Sequence, residues 1–178
     1  MDALPPAVTT TLRELGRDAL GGAVTMSDHA EVENVVVMRC EELDPNTWLA
    51  VIPVHSDASA AVTATDLGAL MEPPHRVVAV GLLDRCTTMR NRADVDFFTE
   101  AELHYNATRH EDQPSMRRLT PEEVAALLEA MELEDTRLLP AMASHDIIVR
   151  YYGFRKGDVV RCDRHTPSGE VSYYRCVT

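Results

Sequence analysis

The run Arg76-Val77-Val78-Ala79-Val80-Gly81-Leu82-Leu83 constrains this chain most tightly. A strand with one wet face alternates apolar and polar residues. A nearly unbroken apolar run suits a central strand covered on both faces. It therefore predicts a sheet with helices packed on it. The surrounding sequence supplies the other parts. Trp48 to Ile52 reads as a second buried strand ending at Pro53, with Asp44-Pro45-Asn46 as the turn before it. Val35 to Met38 reads as a short strand. Ala7 to Leu20 carries Val8, Leu12, Leu15 and Ala19 at helical spacing and is stopped by Gly21-Gly22. Ser59 to Met71 is a further helix, with Val62, Leu67, Leu70 and Met71, closed by Pro73-Pro74. Asp94 to Phe98 and Glu102 to Asn106 are weaker elements. Strands alternating with helices over the first 103 residues predict a small α/β domain.

A second domain is expected over residues 104–178. His110 to Arg118 is polar, contains Pro114 and reads as a loop. The best-specified helix follows. Thr120 caps it, Pro121 takes the first helical position and Glu123 completes a capping box. Val124, Leu127, Leu128 and Met131 form one apolar stripe, and Glu122, Glu123, Glu129, Glu132 and Glu134 make the remaining face acidic. Asp146 caps a short helix over Ile147 to Tyr152, and Gly153 ends it in a left-handed conformation. Asp158 to Arg164 and Val171 to Val177 read as a hairpin around Thr166-Pro167-Ser168-Gly169. Alternation puts Val171, Tyr173, Arg175 and Val177 on one face, and Ser172, Tyr174 and Cys176 on the other. Tyr151, Tyr152, Tyr173, Tyr174 and Phe154 concentrate in this small tail. About half of them are expected to fill its own core and the rest to form a partner surface.

Composition excludes several functions. The 178 residues carry 17 basic and 29 acidic side chains, a net charge of −12. Phosphate affinity is built from Lys and Arg, so an autonomous nucleic-acid binder is not expected. The longest uncharged stretch, Pro45 to Ser56, is 12 residues. A spanning helix needs about 20, so no membrane partner is expected. The N-terminus lacks the basic and apolar regions of a secretory signal. Cys40, Cys86, Cys162 and Cys176 are too scattered for a zinc ribbon and read as buried free thiols. The seven histidines form no His-x-x-x-His pair, and His110-Glu111-Asp112 are too close in sequence to converge on one ion. Gly21-Gly22 is not followed by a phosphate-binding Lys-Ser. No cofactor, metal or catalytic residue is expected.

The stretch from Leu139-Pro140 and Asp146 through Arg150-Tyr151-Tyr152-Gly153-Phe154-Arg155-Lys156-Gly157-Asp158-Val159-Val160 has a specific pattern. It resembles the C-terminal signature of the fifth subunit shared by eukaryotic nuclear RNA polymerases, a family that includes the archaeal counterpart of that subunit. Val171-Ser172-Tyr173-Tyr174-Arg175 is similar to that family's last strand. Glu102-Leu103, Asn106, Thr108, His110-Glu111, Pro114 and Thr120 to Val124 match at compatible spacing. The likeness is strong from about Glu102 onward and is limited to the order of elements before it. Ile147 stands where the family usually has proline. The hairpin loop is slightly shorter, and Cys162-Asp163 replace an apolar pair. The compact, diverged form resembles one encoded by a large DNA virus.

The resemblance implies an α+β protein overall. It would consist of a restriction-endonuclease-like α/β jaw domain, residues 1–103, and a small α+β assembly domain with a β-hairpin, residues 104–178. The implied function is a non-catalytic subunit of a multisubunit DNA-directed RNA polymerase. Its partners would be the largest polymerase subunit, other polymerase subunits and, within the complex only, downstream duplex DNA. Its location would be the nucleus or, for a viral member, the virion and host cytoplasm. Pro140, Arg150, Tyr151, Tyr152, Gly153, Arg155, Lys156, Gly157, Tyr173 and Arg175 would form or shape the docking surface. A jaw lying near downstream DNA would guide it through a few arginines such as Arg85, Arg90 and Arg92, or only by shape.

Two alternatives remain at the level of sequence: a free-standing acidic adaptor, and an inactive protein of nuclease fold. An active nuclease needs an acid-x-Lys group around a metal, and the one lysine, Lys156, lies far downstream. Asp94 and Asp96, with Glu111 and Gln113, imitate an acid-x-Gln variant, but solvated loop acids are the simpler reading.

Overall fold

The structure is a computed structural model that describes residues 4–40, 47–55, 57–70, 74–82 and 86–178. The chain forms two compact units, Met1–Asn106 and Ala107–Thr178.

The first unit runs α1 (Pro6–Leu20), β1 (Val24–Asp28), β2 (Val36–Cys40), β3 (Trp48–Val54), α2 (Asp57–Gly68), β4 (Arg76–Gly81), α3 (Thr87–Arg90), β5 (Val95–Thr99) and α4 (Glu100–Leu103). Its five strands lie in sequence order, β1-β2-β3-β4-β5. β1, β2 and β3 pair antiparallel, whereas β3-β4 and β4-β5 pair parallel. Parallel neighbours need a crossover, and α2 and α3 supply the two required.

Alternation along the central strands sorts their side chains between two helical layers. Trp48, Ala50 and Ile52 of β3, Ala79 of β4 and Phe97 of β5 pack with Ala60, Ala64 and Leu67 of α2 and Met89 of α3. Val37 belongs to the same cluster, so Met38 faces the opposite way. There the α1 backbone at Gly16 meets the Met38 thioether. α1 buries Val8, Leu12 and Leu15 on that side. The apolar run at 77–80 is thus a central strand covered on both faces, as its pattern predicts.

Four local expectations shift. The strand predicted to reach Leu83 ends at Gly81, and Leu82 lies beyond it, about half exposed. β3 continues through Pro53 to Val54. Pairing with β2 stops at Val51, so the missing Pro53 N–H breaks no ladder on that side, while pairing with β4 runs on to Val54. β1 is an additional strand, half polar and mostly exposed. The helix expected over Ser59 to Met71 begins at Asp57 and ends at Gly68. The Asp44-Pro45-Asn46 turn, Met71, Pro73, Leu83 and Arg85 lie outside the described residues.

Gly81 has a close neighbour on each side. A Cβ there would come within 2.8 Å of the Val54 Cβ and 2.9 Å of the Cys86 sulfur. The β3 and β4 ends and the entry to α3 pack too tightly for any side chain at this position.

The second unit holds a 3-10 turn (Ala107–Arg109), β6 (Ser115–Arg118), α5 (Pro121–Ala130), a 3-10 turn (Thr136–Leu138), β7 (Ala141–Met142), α6 (Ile147–Tyr152), β8 (Val159–Thr166) and β9 (Gly169–Val177). Its sheet has the order β6-β8-β9-β7. β8 and β9 form the expected hairpin, pairing Val159 with Cys176 through Thr166 with Gly169 around Pro167-Ser168. One sheet face carries Val160, Cys162, Tyr173 and Val177 against Ile148, Val149, Tyr152 and Phe154. The other carries Val159, Tyr174 and Cys176 against Leu119, Leu139, Val124 and Leu127. The alternation read for β9 holds.

Residues 110–118, read as a loop, end in β6. Its side chains are mostly exposed, and the strand is held by antiparallel pairing with β8, Ser115 to Asp163 through Arg118 to Val160. The α5 stripe is also less buried than its spacing suggests. Val124 and Leu127 reach the core, whereas Met131 stands past the helix end and is 48% exposed. All four cysteines are free and buried.

Candidate docking surface

The residues expected to form the docking surface come from three separate stretches, and backbone hydrogen bonds bring them together around β9. The Pro140 carbonyl accepts the Cys176 N–H at 2.9 Å, and the Val177 carbonyl accepts the Gly157 N–H at 2.9 Å. Arg175 Nη1 donates to the Ala141 carbonyl at 3.0 Å. One end of the sheet therefore joins the stretches at 140–142, 150–157 and 173–177.

α6 is set by its ends. The Asp146 carboxylate accepts the Ile148 N–H at 2.8 Å, and Gly153 closes the helix at φ 69°, a left-handed conformation that costs a side-chain-bearing residue about 1–2 kcal/mol. This short helix buries Ile148, Val149 and Tyr151. Arg150 is half-buried, its Nε donating to the His145 carbonyl at 3.1 Å. The aromatic pair divides. Tyr151 is only 4% exposed. Tyr152 keeps part of its ring exposed, edge-on to Tyr151 at 5.4 Å and stacked on Phe154 at 5.3 Å. Tyr173 is also half-exposed, with the Arg175 guanidinium 5.6 Å from its ring centre. A cation over an aromatic face both fixes the ring and keeps the charge at the surface.

The basic turn after α6 is rigid. The Asp158 carboxylate accepts the Arg155 N–H at 2.7 Å, the Arg155 carbonyl accepts the Asp158 N–H at 2.9 Å, and Gly157 takes φ 93°. Arg155, Lys156 and Gly157 are all exposed on it. Asp158 also lies 3.5 Å from Arg118 Nη1. This carboxylate organises the turn, yet sequence reasoning placed it in a strand and not at the site. The signal that could have found it was an acid directly after Lys-Gly, where it can bond back to the turn's own backbone.

The sheet face under α5 is held by polar groups. Arg117 makes two bonds to Glu123, at 2.8 and 2.9 Å, and Glu123 also accepts the Thr120 N–H at 2.9 Å. Together with the Thr120 side chain, which accepts the Glu123 N–H, this completes the predicted capping box. The Arg117 guanidinium and the Thr120 N–H hold the Glu123 carboxyl down at about 2. Arg161 donates to Asp163 at 2.8 Å and to Ser172 at 3.0 Å. Hydrogen bonds from Ser172 and Arg161 lower the Asp163 carboxyl in turn. Burial raises the Cys162 thiol above its usual range.

In the first unit the acids weighed as nuclease-like are committed elsewhere. Arg76 and Asp96 form an ion pair at 2.6 Å with side chains 6% and 4% exposed. Val77 and Phe97 belong to the α2–α3 layer, so the pair lies on the α1 side of the sheet. Asp94 pairs with Arg92, and Arg92 also donates to the Ala61 carbonyl and the Thr65 hydroxyl of α2. Of the three arginines expected to face DNA, Arg92 is therefore a brace, Arg90 is exposed at the end of α3, and Arg85 lies outside the described residues. Glu111 and Gln113 belong to the second unit. His110 steadies its own turn, its Nδ1 accepting the Asp112 N–H at 3.2 Å. Among the described residues no group of three His, Cys, Asp or Glu side chains gathers to hold a metal, and no helix is long and apolar enough to cross a membrane.

The second unit thus presents a small sheet with a capped helix on one face and an aromatic, basic rim at its end. Residues 105–177 match the family model described as RNA polymerase Rpb5, C-terminal domain. The chain is 39% identical over 84 residues to the DNA-directed RNA polymerases I, II, and III subunit RPABC1 of Caenorhabditis elegans, covering 47% of this chain and 39% of the relative. It is 38% identical over 84 residues to the DNA-directed RNA polymerase V subunit 5C of Arabidopsis thaliana, covering 47% and 36%. For the subunit rpabc1 of Dictyostelium discoideum the identity is 33% over 92 residues, covering 51% and 46%. The match thus spans less than half the length of these curated relatives.

Proposed function

We propose that the chain is a non-catalytic subunit of a multisubunit DNA-directed RNA polymerase and works in the nucleus. In this reading its C-terminal unit docks on the largest polymerase subunit. Its N-terminal unit forms part of the lower jaw beside downstream DNA. Nucleotide addition belongs to other subunits.

The convergence of Pro140, Tyr152, Arg155, Lys156, Tyr173 and Arg175 around β9 is the observation that carries the reading. These residues lie within the segment matched to the Rpb5 C-terminal domain. Half-exposed tyrosines beside arginines are what interface centres are enriched in. Arg150, Tyr151, Gly153 and Gly157 act mainly by fixing the helix and turn that present the contacts. The charge distribution agrees. Residues 136–178 carry 7 basic and 4 acidic side chains, suited to an acidic partner surface.

Arg155 offers the cleanest test, because it lies on an exposed turn. Arg155→Glu should cut incorporation into the polymerase by about tenfold or more while leaving the thermal melting of the free chain in place. Unchanged incorporation would remove this turn from the interface.

A further inference from the structure

Sixteen of the chain's seventeen basic residues are arginine, and Lys156 is the only lysine. The two side chains differ most in reactivity. A guanidinium stays protonated and does not acylate, whereas an ε-amine loses its proton and becomes a nucleophile. The chain therefore offers one side-chain amine to acylating reagents, and its position is well defined. Lys156 is exposed and makes no hydrogen bond or ion pair among the described residues. The turn that carries it is held by the Arg155–Asp158 bonds and by the Gly157 N–H on the Val177 carbonyl. A Cβ added at the neighbouring Gly157 would find nothing within 4 Å, so the space beside the turn is open. A fixed backbone with an unengaged side chain in open space gives an acyl donor free approach.

We infer that Lys156 is an acylation site for a small acyl thioester, and that acylation and docking exclude one another. The neutral Nε attacks the thioester carbonyl carbon. A C–N bond forms, the C–S bond breaks, and the thiolate leaves and takes up the proton given up by nitrogen. The product is a neutral amide in place of a cation. This removes one positive charge and its donors from a turn that holds Arg155 and Lys156 side by side. Docking, in turn, buries the amine and blocks the reagent. The free chain is then modifiable and the assembled chain is not. The inference rests on the docking reading above.

Acetyl-coenzyme A is the probe, with acetylation at Lys156 read by residue-resolved mass spectrometry. In the free chain Lys156 should acetylate, and in the assembled polymerase the same residue should react about tenfold more slowly or less. Acetylated and unmodified chain are then offered to immobilised largest polymerase subunit. The acetylated form should be retained at least about fivefold less. No acetylation of Lys156 in the free chain, or equal rates in free and assembled chain, overturns the inference. Equal retention of the two forms also overturns it while leaving the docking reading intact. Retention of neither form overturns both.

Discussion

Asp96 and Arg76 are where a single substitution should cost the first unit most. Their side chains are 4% and 6% exposed, so deleting one leaves the other charged in a site with little water. Asp96→Ala should destabilise the unit by about 3–5 kcal/mol, whereas replacing both residues with apolar side chains of similar volume should recover most of that loss. Denaturant unfolding measures both. A loss under about 1 kcal/mol for Asp96→Ala would mean that the pair is solvated in solution. Glu123 allows a test by pH. Its carboxyl sits at about 2 against an ordinary 4.5, so the folded state holds the charged form more tightly than the unfolded chain does. That stabilisation is complete above about 4.5 and disappears as pH falls through about 2. The melting-temperature gap between the parent and Glu123→Gln should therefore shrink over that interval. A gap independent of pH would show that the Arg117–Glu123 bonds contribute nothing. The Arg76–Asp96 contact was invisible in the sequence because its partners lie 20 residues apart on neighbouring strands, and only the sheet register brings them together.

The elements set by local signals were the legible ones. Thr120, Pro121 and Glu123 specify the start of α5 within four residues, and Asp146 and Gly153 bracket α6 in the same way. Gly153→Ala should cost about 1–2 kcal/mol by forcing a Cβ into the left-handed region, with the loss visible in thermal melts. No loss would mean that the α6 end relaxes freely. The same signature marks a second capping box. Thr99 accepts the Glu102 N–H, and Glu102 accepts the Thr99 N–H, at the start of the four-residue α4. Elements that depend on distant partners were not legible. β6 is polar, follows Pro114 and exists because β8 pairs with it. β1 lies beside β2 for the same reason. The α5 stripe was legible in spacing but not in depth, since periodicity shows which residues share a face and not how much of that face a small sheet can cover. The residues proposed to dock are marked in the sequence by a motif. Their division of labour was not legible, with Tyr151 inside and Tyr152 partly outside on the same short helix.

At the scale of the molecule, charge separates the two units. Residues 1–103 carry 7 basic and 17 acidic side chains, and residues 104–178 carry 10 and 12. An excess of ten negative charges opposes DNA phosphates, so a jaw role would rest on shape and on a few arginines such as Arg90, within a complex whose other subunits supply the positive field. The isolated chain should accordingly show no salt-sensitive affinity for duplex DNA. Docking is assigned to the tail of the second unit, where residues 136–178 carry 7 basic against 4 acidic side chains. Membership in a polymerase is decided by affinity purification of the tagged full chain from its native cells. The largest polymerase subunit should be recovered in equal stoichiometry with the chain. Recovery of the chain alone, as a free monomer, would contradict it.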